Sequence, residues 1–142
     1  MIELIPFKAQ HAYQMVHGKI TPEFVKAMLR YEQEGNSMTV LYDKQLFCCG
    51  GLVIEAGNGS LWMVNSNLVG KHPLTFHKTI KKWLKLFMEL YNLNRMQAFV
   101  DASEPKHVRW VESLGFSMEG LMRKFYSGKD FFMYARIRGG GE

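Results

Sequence analysis

The stretch VNSNLVGKHPLTFHKTIKKW, Val64–Trp83, joins an apolar strand pattern directly to a helix. We expect the helix to begin at Pro73, because proline is favoured at the first helical position. Apolar residues then recur on one stripe as far as Leu90, so the sequence predicts a helix over Pro73–Tyr91. A strand that leads into a helix start is a common place for an anion, because the first N–H groups have no partner inside the helix.

The residues before this stretch predict a helix and an antiparallel meander of strands. Thr21 and Pro22 form a good helix start, since Thr is a favoured N-cap and Pro a favoured first helical residue. Tight turns are expected at Asp43-Lys44 and at Gly57-Asn58-Gly59, where Asn and Gly accept positive φ readily. The predicted strands are Ile2–Phe7, Met38–Tyr42, Leu46–Glu55, which Gly50-Gly51 interrupts, and Leu61–Leu68.

The residues after the long helix predict a strand, a helix that stops at Gly115, and a final pair of strands. Their expected bounds are Met96–Asp101, Glu104–Leu114, Met118–Phe125 and Phe131–Ile137. This order implies an α/β (α+β) fold, with a mixed, mostly antiparallel sheet and helices on both faces. We expect a single domain over residues 1–138 and a flexible tail over residues 139–142.

Composition and charge limit the class of protein. The chain has 142 residues, of which 22% are charged, and its formal net charge of +5 favours anionic partners. Its apolar runs are too short to span a bilayer, so no membrane association is expected. The sequence starts without a signal-peptide pattern, and the adjacent Cys48 and Cys49 would point to opposite faces of a strand. Two reduced thiols without a secretion signal predict a cytoplasmic location.

Lysines and histidines bear on the choice of partner. Lys78, Lys81, Lys82 and Lys85 repeat at helical spacing, which is most simply a solvated face of the long helix. Contact of Lys71 or Lys78 with a cofactor phosphate is one alternative. Nucleic acid is the least favoured alternative, because no RNP, zinc-finger or helix-turn-helix pattern is present. The five histidines show no metal-ligand spacing, so no metal site is expected.

The stretch HVRWVESLGFSMEGLMRKFYSGKDFFMYARI, residues 107–137, resembles the closing block of the GNAT superfamily of acetyl-CoA-dependent N-acetyltransferases. That block is a helix of the type N-x-x-A-x-R-x-Y-x-x-x-G-F followed by two antiparallel strands. Arg109, Gly115 and Phe116 stand at family positions, and Glu119-Gly120 opens the next strand. The resemblance covers roughly residues 37–137, and in the middle it rests on the order of elements more than on motifs.

A narrower resemblance points to small GNAT-like proteins of tailed bacteriophages, including a T7-like group of internal virion proteins. It rests on the strand followed by KHP-x-x-F at the head of the helix, and on His107 ahead of an R-W pair. This resemblance implies the host cytoplasm as the location and virion proteins as partners.

The superfamily resemblance implies acetyl-CoA as the cofactor. The family's pyrophosphate loop has the pattern Q/R-x-x-G-x-G/A, and its positions fall on Val69, His72 and Leu74, none of which matches. A Cβ atom at the small positions keeps phosphate oxygens away from the backbone N–H groups, so the expected site is altered. Backbone N–H groups from Leu68 to Thr75 would still hold the pyrophosphate, and Val64 would pair with the pantetheine. The residues implied in cofactor binding are Val64, Ser66, Leu68, Val69, Gly70, Lys71, His72, Leu74, Thr75 and His107.

The resemblance also implies direct acetyl transfer to an amine, carried by a small molecule or a protein. Family members often use a Tyr on the late helix to protonate the leaving thiolate, but Val111 stands at that position. Tyr126 is the alternative acid, and Glu55 is the candidate base, with Glu32 and Glu34 as alternatives. The missing glycines and Tyr favour a second hypothesis, a catalytically degenerate phage protein that acts in virion morphogenesis through protein contacts. The sequence leaves the acceptor and the oligomeric state open.

Overall fold

The computed structural model describes residues 1–139, so the predicted tail lies outside the described residues except for Gly139, which is in a turn. The strands are β1 (Ile2–Pro6), β2 (Ser37–Tyr42), β3 (Gln45–Glu55), β4 (Asn58–Asn65), β5 (Arg95–Asp101), β6 (Ser117–Tyr126) and β7 (Lys129–Ile137). The helices are α1 (Ala9–Met15), α2 (Pro22–Glu34), α3 (Leu68–Lys71), α4 (Pro73–Leu90) and α5 (Pro105–Ser113).

The seven strands form one sheet in the order β1-β2-β3-β4-β5-β7-β6. β4 and β5 are parallel over the residue pairs from Asn58↔Arg95 to Ser60↔Gln97. The pairs β1/β2, β2/β3, β5/β7 and β6/β7 are antiparallel. The prediction of a mixed, mostly antiparallel sheet is therefore confirmed.

The chain divides into two compact units. The first comprises Met1–Val53 and Trp62–Thr79, and the second comprises Ile54–Leu61 and the residues from Ile80 onward. β1, β2, α1, α2 and α3 lie in the first unit, whereas β5, α5, β6 and β7 lie in the second. β3, β4 and α4 contribute residues to both.

In the first unit, local chemistry fixes both ends of α2, and its start lies where the sequence predicts. Thr21 Oγ1 accepts a hydrogen bond from the Phe24 N–H at 3.2 Å, and Gly35 ends the helix with φ of 77°. The helix buries Met28, which belongs to the same core cluster as Cys49. A narrow apolar stripe between two caps is thus enough to dock α2.

Helix α1 lies in a region for which the sequence predicts no element. It turns its three buried residues, Ala9, Ala12 and Met15, toward the core. Two of these are alanines, so the apolar stripe that would announce a helix is too weak to recognise.

Strand β3 runs without interruption through Gly50 and Gly51, where the sequence predicts a break. A Cβ atom on Gly51 would lie 2.2 Å from the Asn36 carbonyl oxygen, and one on Gly50 would lie 2.6 Å from the Trp62 carbonyl oxygen. The glycines therefore permit close approach of neighbouring backbones rather than a turn.

The two predicted turns of the meander have different outcomes. Asp43 and Lys44 have φ of 46° and 70°, as expected for a tight hairpin turn. In the second turn the positive φ values fall on Ala56 and Gly57, at 52° and 82°, so Asn58 already begins β4. The turn lies one residue earlier than predicted, and β4 ends earlier as well.

In the second unit, Arg138 secures the end of α4. Its Nε donates to the Leu93 carbonyl at 2.7 Å, and its guanidinium also donates to the Met88 carbonyl. These bonds tie the residue after β7 to the last turn of α4 and to the segment that follows it. On the sheet, Arg95 bridges to Glu119 at 2.7 Å and lowers the pKa of that carboxyl group by a hydrogen bond. Glu119 thus joins β6 to β5.

The outer strands of the sheet are short or irregular. β1 has five residues and ends at Pro6. The register of β6 with β7 shifts twice, between Met118 and Gly120 and between Met122 and Tyr126. None of the helices within residues 1–139 combines the length and apolar character that a bilayer crossing requires.

Candidate functional site

The junction between β4 and α4 contains a short helix that the sequence does not predict. β4 ends at Asn65, α3 covers Leu68–Lys71, and α4 begins at Pro73. The His72 N–H closes α3 by donating to the carbonyl groups of Leu68 at 3.1 Å and Val69 at 3.2 Å. The predicted open loop is therefore largely helical, and its polar backbone is partly bonded to itself.

Ser66 fastens this junction to β3. Its N–H and its Oγ both donate to the Phe47 carbonyl oxygen, at 2.9 and 2.7 Å. The same Oγ accepts the Leu68 N–H at 3.2 Å. Ser66, one of the residues implied in cofactor binding, thus uses its hydroxyl to hold the start of α3.

A column of four packed rings, His72, Tyr42, Phe47 and Phe76, supports the junction. The His72 ring stacks on Tyr42 with ring centroids 4.2 Å apart and planes at 20°. Tyr42 lies against Phe47, and Phe47 meets Phe76 of α4 edge-on at 5.9 Å. His72 is therefore a packing residue in this structure, and the column fixes the direction in which α4 departs.

Few amide groups at the junction remain for a ligand. Besides the Leu68 and His72 amides, the Val69 N–H donates to the Ser66 carbonyl at 3.3 Å. Pro73 has no N–H group. Leu74 and Thr75 occupy the first turn of α4, where N–H groups have no acceptor inside the helix.

Side chains at the junction offer charge but little enclosure. Lys71 is exposed, and Leu74 is 74% exposed. Gly70 is also exposed, and a Cβ atom built on it would meet nothing within 4 Å. An anion at this end of α4 would meet two free amides and one lysine, without a closed glycine cradle.

The backbone direction of β4 determines which of its peptide groups face outward. The Ser66 N–H donates to the Phe47 carbonyl oxygen on β3. Because strand residues alternate, the N–H and C=O groups of Met63 and Asn65 point away from β3. This geometry disfavours the predicted pairing of Val64 with pantetheine and indicates Met63 and Asn65 instead. The sequence does not show which peptide groups of β4 face β3, because that depends on the pairing of the two strands.

Glu55 and Tyr126, the predicted base and acid, are not brought together within the second unit. Glu55 ends β3 beside Gly57, whose carbonyl accepts the Asn94 N–H just before β5. Tyr126 pairs with Lys129 in the hairpin that meets the other end of β5. The seven residues of β5 span about 20 Å, so these two side chains cannot act on one reacting group.

The other candidates in the second unit have ordinary surroundings. Tyr126 is 59% exposed, and its ring touches Phe131 edge-on. His107 is exposed in the first turn of α5. Val111, at the position where family members often carry the catalytic Tyr, is buried.

Comparison with known proteins identifies the fold. No protein-family model matches the chain, and no curated protein matches it significantly. Among solved structures, the chain is similar to a spermidine N-acetyltransferase chimera from Vibrio cholerae and hSSAT. The TM-score is 0.76 at 15% identity, over 96% of this chain and 95% of the other.

Two further structures extend the similarity. The ribosomal-protein-S5-alanine acetyltransferase from Vibrio fischeri matches with a TM-score of 0.75 and 12% identity, over 99% of this chain and 95% of the other. A GNAT-family acetyltransferase from Bacillus anthracis matches with a TM-score of 0.73 and 15% identity, over 96% and 94%. The chain therefore has the GNAT acyltransferase fold, as its closing block led us to expect.

Proposed function

We propose that this protein is an acetyl-CoA-dependent N-acetyltransferase that passes the acetyl group directly to an amine. The observation that carries the proposal is the β4–α4 junction, where two free amides and Lys71 meet at a helix start. The similarity to acetyltransferases over nearly the whole chain adds support. A CoA ligand carries both a pyrophosphate and a chain of amides, and the junction offers groups suited to each.

The pyrophosphate would lie at the start of α4. The N–H groups of Leu74 and Thr75 would donate to it, and the Lys71 ammonium would neutralise part of its charge. Gly70 would allow the ligand to approach the backbone closely, because it presents no side chain. This is a looser grip than a glycine-rich loop provides, since the Leu68, Val69 and His72 amides have internal partners.

The pantetheine arm would add its amides to the free side of β4. Met63 and Asn65 lie beyond Ser60, the last residue of the described parallel ladder with β5. Their outward peptide groups can exchange N–H and C=O bonds with an extended amide chain, as an added strand would. Acetyl-CoA, when bound, would supply the thioester.

Tyr126 is the proposed general acid. In the transfer, the amine enters uncharged, its nitrogen forms a bond to the acetyl carbon, and the carbon–sulfur bond breaks. The phenol gives its proton to the departing thiolate, and the proton released by the amine nitrogen passes through solvent to the phenolate, which restores Tyr126. Glu55 does not join this scheme, because it lies at the opposite end of β5.

A second function is favoured by one observation. Three junction amides are already bonded internally, and none of the Q/R-x-x-G-x-G/A positions matches. A protein that keeps the fold but acts through protein contacts would need no more than this. The resemblance to phage proteins suggests virion assembly as the setting for such a role.

Calorimetric titration with acetyl-CoA separates the two functions. We expect wild-type protein to bind, Lys71→Ala to bind about fivefold to tenfold more weakly, and Lys26→Ala to bind as wild type. Lys26 is a matched control because it is exposed on α2. No heat at millimolar acetyl-CoA would exclude the enzyme and leave the role through protein contacts.

Gly70→Ala provides a sharper test. Gly70 lies in α3 with open space around it, so the substitution should leave stability unchanged or raise it by about 0.5–1 kcal/mol. The added Cβ should nonetheless weaken acetyl-CoA binding. Unchanged affinity with unchanged stability would remove the junction from the cofactor site.

Release of free CoA thiol should then be followed with a panel of amines. Spermidine and a peptide with an N-terminal alanine are suitable first acceptors, since the similar structures are named for such substrates. Tyr126→Phe should lower kcat at least tenfold while leaving acetyl-CoA affinity unchanged. An unchanged kcat would show that another group, or solvent, protonates the thiolate.

A further inference from the structure

The outer face of α4 carries a row of lysines. Lys78, Lys81, Lys82 and Lys85 are all exposed, and the others lie three, four and seven residues along the helix from Lys78. At 1.5 Å per residue, the row extends about 10 Å along one side of the helix. The opposite side of α4 is its apolar stripe, formed by the buried residues Phe76, Ile80, Trp83, Leu84 and Phe87.

This row has no counter-charge within the described part of the chain. Residues 71–88 contain no Asp or Glu, and none of the four lysines forms an ion pair with a residue between 1 and 139. Glu89, the first acid to follow, forms none either. By contrast, Lys44 binds Glu3 at 2.9 Å and Lys129 binds Asp101 at 3.6 Å.

The spacing makes the row unfavourable for the helix itself. Residues three and four apart are neighbours on a helix surface, and like charges at these spacings destabilise it. The four lysines make four such pairs, 78–81, 78–82, 81–85 and 82–85. Because nothing within the described chain compensates this repulsion, the arrangement suits an anionic partner outside the chain.

We infer that the lysine row of α4 binds the phosphate backbone of nucleic acid without reading its sequence. Duplex DNA carries a charge about every 1.7 Å along its axis, so a straight row of point charges can neutralise several phosphates at once. Lysine suits this role because its ammonium group is a compact point charge on a flexible stem, which can meet a phosphate without a fixed geometry. The lack of a base-reading motif has no bearing on phosphate contacts, which carry no sequence information.

The structure favours this partner over a lipid surface. A helix lying on a membrane inserts its apolar side, whereas the apolar stripe of α4 is buried. α4 has three exposed leucines: Leu74 lies on the lysine side, whereas Leu86 and Leu90 lie about 90° and 130° around the helix from it. One leucine gives little insertion, so the row acts through charge alone.

Fluorescence anisotropy with a labelled 16-base-pair duplex tests the inference across 50–200 mM salt. Four phosphate contacts predict a slope of log K against log salt of about −3 to −4. The variant K78Q/K81Q/K82Q/K85Q should bind at least tenfold more weakly at 50 mM salt, with a slope near zero. Lys71 stays unchanged, so this test does not depend on acetyl-CoA binding.

The matched control is K19Q/K26Q/K106Q/R123Q, which removes the same charge from four other exposed positions. It should keep most of the affinity and the slope. Glutamine is a good helix former and relieves the lysine repulsion, so the row variant should be at least as stable toward urea as wild type.

Three outcomes would overturn the inference. The first is an equal loss of affinity for the duplex in both variants, and the second is a flat salt dependence of wild-type binding. The third is tighter binding of the wild type to phosphatidylserine vesicles or polyglutamate than to the duplex at the same salt. Equal loss would mean that net charge alone is responsible. Tighter binding to vesicles or polyglutamate would identify lipid or acidic protein as the partner.

Discussion

Ser66 reaches the carbonyl oxygen of Phe47 twice, through its N–H at 2.9 Å and through its Oγ at 2.7 Å. One residue thereby ends the pairing of β4 with β3 and, through the Leu68 N–H, starts α3. The junction from strand to helix is thus held by a single hydroxyl group in place of a glycine-rich loop.

Ser66→Ala should therefore destabilise the protein. It removes the bond to Phe47 and leaves the Leu68 N–H without its acceptor, at a cost of about 1–2 kcal/mol in the free energy of unfolding. Urea unfolding measures the change. Ser117→Ala, at an exposed position of β6, should change stability by less than about 0.5 kcal/mol. Equal values for the two variants would show that the Ser66 bonds contribute nothing.

Gly51→Ala should be among the most damaging small substitutions in β3. Its Cβ would lie 2.2 Å from the Asn36 carbonyl oxygen and 2.7 Å from the Ser37 Cα, and both are backbone atoms that cannot move aside cheaply. We expect a loss of about 3 kcal/mol or failure to fold. Gly120→Ala, with nothing within 4 Å, should be tolerated, and thermal unfolding compares the two. A Gly51→Ala protein with wild-type stability would contradict the close approach.

Stability should fall as the pH is lowered because of His11. Its Nδ1 accepts the Lys8 N–H at 3.2 Å and lies 2.7 Å from Thr39 Oγ1, so the neutral ring fits the structure. Burial, followed by the positive charge of Lys8, lowers the pKa of His11 below its ordinary 6.5, while Glu32 opposes the shift.

The sign follows from proton binding. Above pH 6.5 His11 is neutral in both the folded and the unfolded state, and its contribution to the free energy of unfolding is complete. Below that value the unfolded chain takes up the proton first. Stability is therefore lost as the pH falls through the pKa of the folded state. Urea unfolding at pH 7.5 and 5.5 should show a larger loss for wild type than for His11→Gln. His17→Gln, at an exposed position, should behave as wild type. A His11→Gln protein with the full pH dependence would assign it to other groups.

The adjacent thiols should be inert in the folded protein. Burial raises the pKa of both Cys48 and Cys49 to about 12, so at pH 8 only about one molecule in ten thousand carries a thiolate at either position. A thiol-exchange reagent should not react with the native protein but should titrate both cysteines in guanidinium. Rapid native reaction would mean that β3 opens easily. Inert thiols also leave an assay of CoA release free of background.

Elements with long or strongly marked patterns could be predicted from the sequence. The stripe of α4 continues for five turns, and Thr21-Pro22 combines two independent start signals for α2. The closing block is predictable because Gly115 stops a helix before two alternating strands. In each case several local preferences agree, and such agreement determines a structure.

The misses have local physical causes. The sequence does not predict α1, because the buried side of that helix is mostly alanine. The break predicted at Gly50 and Gly51 is wrong, because these glycines allow neighbouring backbones to approach closely within an unbroken strand. β4 ends at Asn65, three residues before the predicted end, because Leu68–Lys71 form the short helix α3 instead of continuing the strand.

The candidate catalytic pair was beyond sequence reasoning. Glu55 and Tyr126 are 71 positions apart, and only the register of β5 with β7 reveals that they lie at opposite ends of a strand. The internal bonds of the Leu68, Val69 and His72 amides depend on α3, which is too short for any periodicity to predict.

The two free margins of the sheet have a consequence for behaviour at high concentration. A continuous outer strand invites other molecules to add to it, and growth of this kind leads to fibres. Here the edge strand β1 has five residues and ends in a proline. The other edge strand, β6, shifts its register with β7 twice within ten residues. Neither offers a long regular template, so concentrated solutions of the folded protein should resist ordered aggregation.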